Sequence, residues 1–77
     1  LKANDAIAAV AEFQKATELA PLWAEPWQML ARLYDGSGMP DEAKVHYAGY
    51  LARATQTNPM RGVAEERLKA LSATAAK

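Results

Sequence analysis

Residues 26 to 47, PWQMLARLYDGSGMPDEAKVHY, hold the pattern that decides the fold. Trp27, Leu30, Ala31 and Tyr34 recur at spacings of three and four, the period of one helical face. Asp35-Gly36-Ser37-Gly38 then interrupts the pattern, since glycine supplies the backbone freedom that a short turn between helices needs. Pro40 follows, and proline presets the first turn of a new helix. The expected buried side of that helix is Ala43, Tyr47, Tyr50, Leu51 and Ala54, before it fades at Thr55-Gln56-Thr57. The stretch reads as two helices folded back on each other through a tight turn.

Working outward, the same period predicts two more helices. One runs from about Asn4, an N-cap candidate, to Ala20, with Ile7, Val10 and Phe13 on one face until Pro21 stops it. Another opens at Asn58-Pro59, a cap followed by proline at the first helical position, and continues through Val63, Ala64, Leu68 and Leu71 to a tail, Ser72 to Lys77, expected to fray. The helix of the opening stretch is expected to start near Ala24 and to tolerate Pro26 in its first turn. Alanine at eighteen positions and the lack of strand alternation make the chain all-α, with close helix contacts. Ala9, Ala31 and Ala43 permit that approach, while Trp27, Tyr34, Phe13 and Tyr47 fill the wider spaces between helices.

Comparing segments by offset brings out a repeat. Ala9, Phe13, Ala16 and Pro21 fall 34 residues before Ala43, Tyr47, Tyr50 and Thr55. That period, with Trp27, Leu30, Ala31, Tyr34, Gly38, Ala43 and Tyr47 in order, resembles the tetratricopeptide repeat, a helix-turn-helix unit of 34 residues. The resemblance implies half of one repeat in residues 1 to 21, a complete repeat in 24 to 55 and a capping helix in 58 to 77, an antiparallel α-solenoid fragment. Tyr50 stands where the family prefers alanine and Thr55 where it prefers proline. The third helix is therefore expected to run on and the next to pack less closely, as at the end of an array whose last helix shields the exposed face.

The resemblance also implies a binding surface. In such arrays the first helix of each repeat lines a concave face that receives a peptide or protein segment. By that analogy Glu25, Gln28, Arg32 and Asp35 would turn away from the core and face the groove, with Glu66 and Lys69 extending the surface on the fourth helix. A solvated helix face accounts for the same residues equally well. Arg32 is the first to test, because a guanidinium engages a carboxylate bidentately. The carboxylate clamp of some family members needs several repeats and is not carried over. Trp23, in the loop before the second helix, is expected to plug the joint between repeats rather than act as an exposed anchor.

Composition narrows the function classes. Nine basic and nine acidic residues cancel, with −2 over the first forty residues and +2 over the remainder, which argues against a nucleic-acid partner. Charges break every apolar run well short of the roughly 20 residues of a membrane span, so a soluble chain without membrane insertion is expected. With no cysteine, neither a disulfide nor a thiolate metal site is possible, and compartment stays open. His46 has no second histidine to complete a zinc set and reads as a surface or boundary residue. Ser37, between two glycines, lacks the strand that a nucleophile elbow needs, and Glu65 and Glu66 are adjacent on a helix and point apart. No cofactor, metal or enzymatic activity is expected. The opening at Leu1, in mid-pattern and without an initiator Met, leads us to expect a piece of a longer protein. Two functions fit: a non-enzymatic module that binds a peptide or partner protein, or a structural element, a homodimer included, that covers the unpaired first helix.

Overall fold

The computed structural model describes residues 3–75. Four helices follow in chain order: α1 (Ala3–Leu19), α2 (Ala24–Gly36), α3 (Pro40–Arg53) and α4 (Arg61–Ala75). No strand occurs among the described residues, so the fold is all-α. Each helix packs on the next, and α2 and α3 form the closest pair. The assembly measures 30 × 29 × 18 Å. Its thin dimension is less than two helix diameters of about 10–12 Å, so every helix borders solvent.

Local sequence sets the helix ends. Gly38, at φ +73°, takes the left-handed conformation after α2. The Met39 N–H then donates to the Tyr34 carbonyl at 2.9 Å and the Gly38 N–H to Asp35 at 3.3 Å. This pair satisfies carbonyls that a helix end would otherwise leave bare. Pro40 opens α3, with Asp41 and Glu42 in its first turn and Arg53 in its last, the distribution the helix dipole favours.

Several helix boundaries differ from expectation. Helix α3 does not run on past Thr55: it ends at Arg53, and Ala54 turns extended at ψ 145°. Arg61 stabilises that end by donating from Nη1 to the Leu51 and Ala54 carbonyls, at 2.8 and 2.9 Å. Helix α4 begins at Arg61 rather than at Asn58-Pro59. The Asn58 carboxamide oxygen closes a local turn instead, accepting from the Met60 N–H at 2.9 Å and from the Tyr50 hydroxyl at 2.7 Å. Ser72 to Ala75 are helical rather than frayed, and Ala76 and Lys77 lie outside the described residues, as do Leu1 and Lys2. Asn4 sits inside α1, not before it.

The core lies between α2, α3 and α4. Leu30, Ala31, Tyr34, Ala43, Tyr47, Tyr50 and Ala64 are buried, and Leu68, Leu71, Val10 and Phe13 pack against them. Ala31 and Ala43 are fully buried, as close approach of two helix backbones requires. Trp27 packs against the core through α3. A methyl group on Gly49 would come within 2.8 Å of Trp27 Cζ3, so glycine there makes room for the indole. His46 lies beside both the Trp27 and Tyr34 rings, at 5.4 and 5.0 Å between centroids. The Arg53 guanidinium covers the indole at 3.9 Å, a favourable placement of a cation over a π face.

Candidate functional site

The residues assigned to a concave face by analogy do not share one surface. Arg32, Glu66 and Lys69 are exposed. Gln28 is buried, at 6% exposure. Asp35 is engaged rather than free: Arg67 donates to both carboxylate oxygens, at 2.8 and 2.7 Å, and the Tyr47 hydroxyl adds a third bond at 3.1 Å. The reason is geometric. At about 100° per residue, the buried positions of α2 sweep from Pro26 and Leu30, through Tyr34 and Ala31, to Gln28. Helix α2 packs on both α1 and α3, and Asp35 reaches α4 as well. A helix so flanked buries more than one stripe, and Gln28 and Asp35 fall at the edge of the covered arc. Of the expected α2 set only Arg32 and Glu25 face outward.

The Asp35 cluster is a structural tie between helices. Hydrogen bonds from Arg67 hold the Asp35 carboxyl below the usual carboxylate range; partial burial opposes them, and the Tyr47 bond assists. Arg67 is raised in turn, chiefly by its bonds to Asp35. The Tyr47 phenol is raised by burial first and by Asp35 second. Tyr50 is raised by burial and then by the negative charge of Glu25.

An open concavity lies elsewhere, between α1 and α2. It encloses about 500 Å³, within the roughly 300–1,000 Å³ of common ligand pockets. Ala9, Phe13 and Ala16 form its α1 wall, and Trp23 and Pro26 close the other side. Among the described residues, Glu12 and Glu25 are the charged ones that line it. Trp23 is 56% exposed. It is expected to plug a joint between repeats; here it forms an exposed wall of this groove, on a turn whose Pro21 carbonyl accepts from Arg53 Nε at 2.6 Å.

Sequence reasoning placed Glu25 among the candidates but missed Glu12, Phe13 and Trp23 as walls of one groove. A signal existed in the offset of 34. Ala9, Phe13 and Ala16 match Ala43, Tyr47 and Tyr50, which are buried on α3, whereas the three on α1 are only partly buried. No family model matches the chain, and no curated protein or solved structure matches it either. Among the described residues no helix is long and apolar enough to cross a membrane.

Proposed function

We propose that this chain is a non-enzymatic protein-interaction module of the tetratricopeptide kind, one helix-turn-helix repeat flanked by half a repeat and a closing helix, and that it binds its partner in the α1–α2 groove. The observation that carries the reading is the groove itself, apolar along its floor and walled by a tryptophan that is 56% exposed. An exposed tryptophan beside an apolar concavity is the kind of anchor that dominates interface energetics. The walls stand on packed helices held by the Arg53 and Tyr34 hydrogen bonds, the latter received from Gln14 Nε2 at 2.9 Å. A ligand therefore meets a preorganised surface, and little protein freedom is lost on binding.

Selection from a random peptide library displayed against the 77-residue chain tests the proposal. Enriched peptides should lose binding to Trp23→Ala and keep it with Arg32→Ala, the candidate of the concave-face reading. Peptides that behave the other way would return the binding surface to the exposed face of α2. A library that yields no specific binder would count against an interaction module altogether.

A further inference from the structure

Asp35 has a second chemical property besides its ion pair, because Gly36 follows it. The sequence holds no other aspartate, and no asparagine, that precedes a glycine. In an Asp-Gly pair the amide nitrogen of the glycine can attack the side-chain carboxyl carbon of the residue before it. The N–Cγ bond forms, the carboxyl hydroxyl leaves with the amide proton as water, and a five-membered succinimide remains. Water then opens the ring at either carbonyl, which returns aspartate or yields isoaspartate, an isomer whose main chain runs through Cβ. Glycine favours the attack because no side chain shields its nitrogen. Neither backbone nor packing demands glycine at this position. Among the described glycines Gly38 is the one at positive φ, and a methyl group on Gly36 would meet nothing within 4 Å.

The fold opposes this reaction in two ways. Gly36 is the last residue of α2, and a helical N–H points at the carbonyl four residues back rather than at the side chain before it. The Asp35 carboxylate is meanwhile drawn onto α4, where Arg67 donates at 2.8 and 2.7 Å, and it accepts from the Tyr47 hydroxyl at 3.1 Å. Such bonds favour the ionised carboxylate, which is a poor target for a nucleophile. The protection is shallow, however. Gly36 is exposed, and the Asp35 and Arg67 side chains are 19% and 45% exposed, so a local opening that lifts α4 frees the carboxyl.

We infer that Asp35-Gly36 is an isomerisation site that α4 protects, and that its conversion to isoaspartate records the undocking of α4 and then prevents its return. Isoaspartate adds a methylene to the main chain in the last turn of α2 and leaves the free carboxylate on Cα instead of Cβ, out of register with Arg67 and Tyr47. The inference is independent of what the α1–α2 groove binds, since it concerns the contact of α2 with α4.

Ageing of the 77-residue chain in neutral buffer tests it, with isoaspartate located by peptide mapping and fragmentation. Isoaspartate should accumulate at residue 35 and not at Asp5 or Asp41. Arg67→Gln should speed the conversion about fivefold, the population ratio that the upper end of an exposed ion pair sets. Tyr47→Phe, which keeps the ring and drops one bond, should speed it about twofold. Unfolding in urea should give the fastest conversion, and Gly36→Ala should suppress it under every condition. The isoaspartyl chain, separated by chromatography, should exchange the amide hydrogens of Arg61–Ala75 at least about tenfold faster than its parent. No conversion in urea, or isoaspartate at another residue, overturns the site. Equal rates in the natural chain and in Arg67→Gln overturn the protection. If Arg67→Gln proves unfolded, Tyr47→Phe decides, and an unchanged rate in that variant overturns it. An isoaspartyl chain whose α4 exchanges like its parent's overturns the undocking.

Discussion

Ala43, Tyr47 and Tyr50 on α3, and Ala9, Phe13 and Ala16 on α1, occupy the same phase of their helices 34 residues apart, yet the first three are buried in the core while the second three line a groove. The chemistry of the two faces is similar; what differs is the neighbour. On α3 the cover is α2, whose Trp27 fits over Gly49. On α1 the flank of α2 contributes Glu25 and Pro26 and leaves a gap. A helical face thus becomes core or stays open according to whether another helix reaches it. The two faces can be compared by making matched changes in each.

The two tryptophans give the largest contrast. Trp27→Ala removes an indole that packs on Gly49, His46 and Arg53. Thermal melts should report a loss of about 3 kcal/mol, the lower end of the range for a large core truncation because the ring is only partly buried. Trp23→Ala, at an exposed wall, should change stability by no more than about 0.5 kcal/mol. Similar losses at both positions would mean that the α1–α2 groove is as closed as the α2–α3 seam.

Next comes a matched pair of alanines. Ala43→Leu inserts a large side chain where no space exists, and overpacking of that kind costs about 1 to 3 kcal/mol. Ala9→Leu makes the same change 34 residues earlier, on the groove wall, and should stay within about 0.5 kcal/mol. Chemical denaturation of the two variants under one protocol checks this. If Ala9→Leu proves as costly as Ala43→Leu, the groove is filled in solution.

Gly49→Ala sets two effects against each other. Alanine in a helix interior is favoured over glycine by about 1 kcal/mol. At Gly49 the added methyl meets the rigid face of the Trp27 indole rather than a flexible side-chain end, and displacing that ring costs about 1 to 3 kcal/mol. The clash should win, and denaturation should show a net loss of about 1 kcal/mol. In the background of Trp27→Ala the sign should reverse, because the obstacle is gone. A stabilising Gly49→Ala in the natural background would show that the indole yields, and that the closed seam is looser than its packing implies.

How much of this was legible in the sequence depended on which physical signal each feature carries. Trp27, Leu30, Ala31 and Tyr34 at helical spacing, and glycine before Pro40, predicted α2, its turn and α3, because periodicity and backbone restriction act locally. The burial of Ala43 followed from the demand for a small residue at a close contact. Gln28 was misplaced because its side chain is polar and spacing alone put it opposite the aromatic stripe; how much of α2 is covered depends on α1 and α4, which no local pattern states. Asp35 reads as a groove-facing residue for the same reason, since Arg67 lies 32 residues away. Asn58-Pro59 carried a helix-start signal, but the Asn58 side chain serves Tyr50 and the Met60 N–H in a turn before the helix. Trp23 has two readings in the sequence, and its exposure on the Pro21–Trp23 turn is compatible with both.

The smallest effect expected is also the one that separates the closed seam from the groove by pH. The Asp35 carboxyl is held below its ordinary value of 3.8, mainly by hydrogen bonds from Arg67. A depressed carboxyl contributes stability that is intact above the unfolded value and is lost as pH falls through the lower folded value. Tyr47 and Tyr50 act at the other end: burial raises both phenols above 10.0, so their contribution is intact below that pH and is lost as pH rises through the folded values. All three groups belong to the α2–α3–α4 side. Asp35→Asn should therefore flatten the decline of stability below about pH 4 and shrink the Tyr47 share of the alkaline limb, which Asp35 helps to raise, while removing part of the Arg67 attraction at neutral pH. The effect should be modest, because the Arg67 side chain is 45% exposed and solvent screens the pair. Urea denaturation at intervals from pH 2.5 to pH 7 measures it. If Asp35→Asn reproduces the natural acid limb, the tie between α2 and α4 is broken in solution, and α4 would then be held to α3 by its apolar face and Arg61 alone.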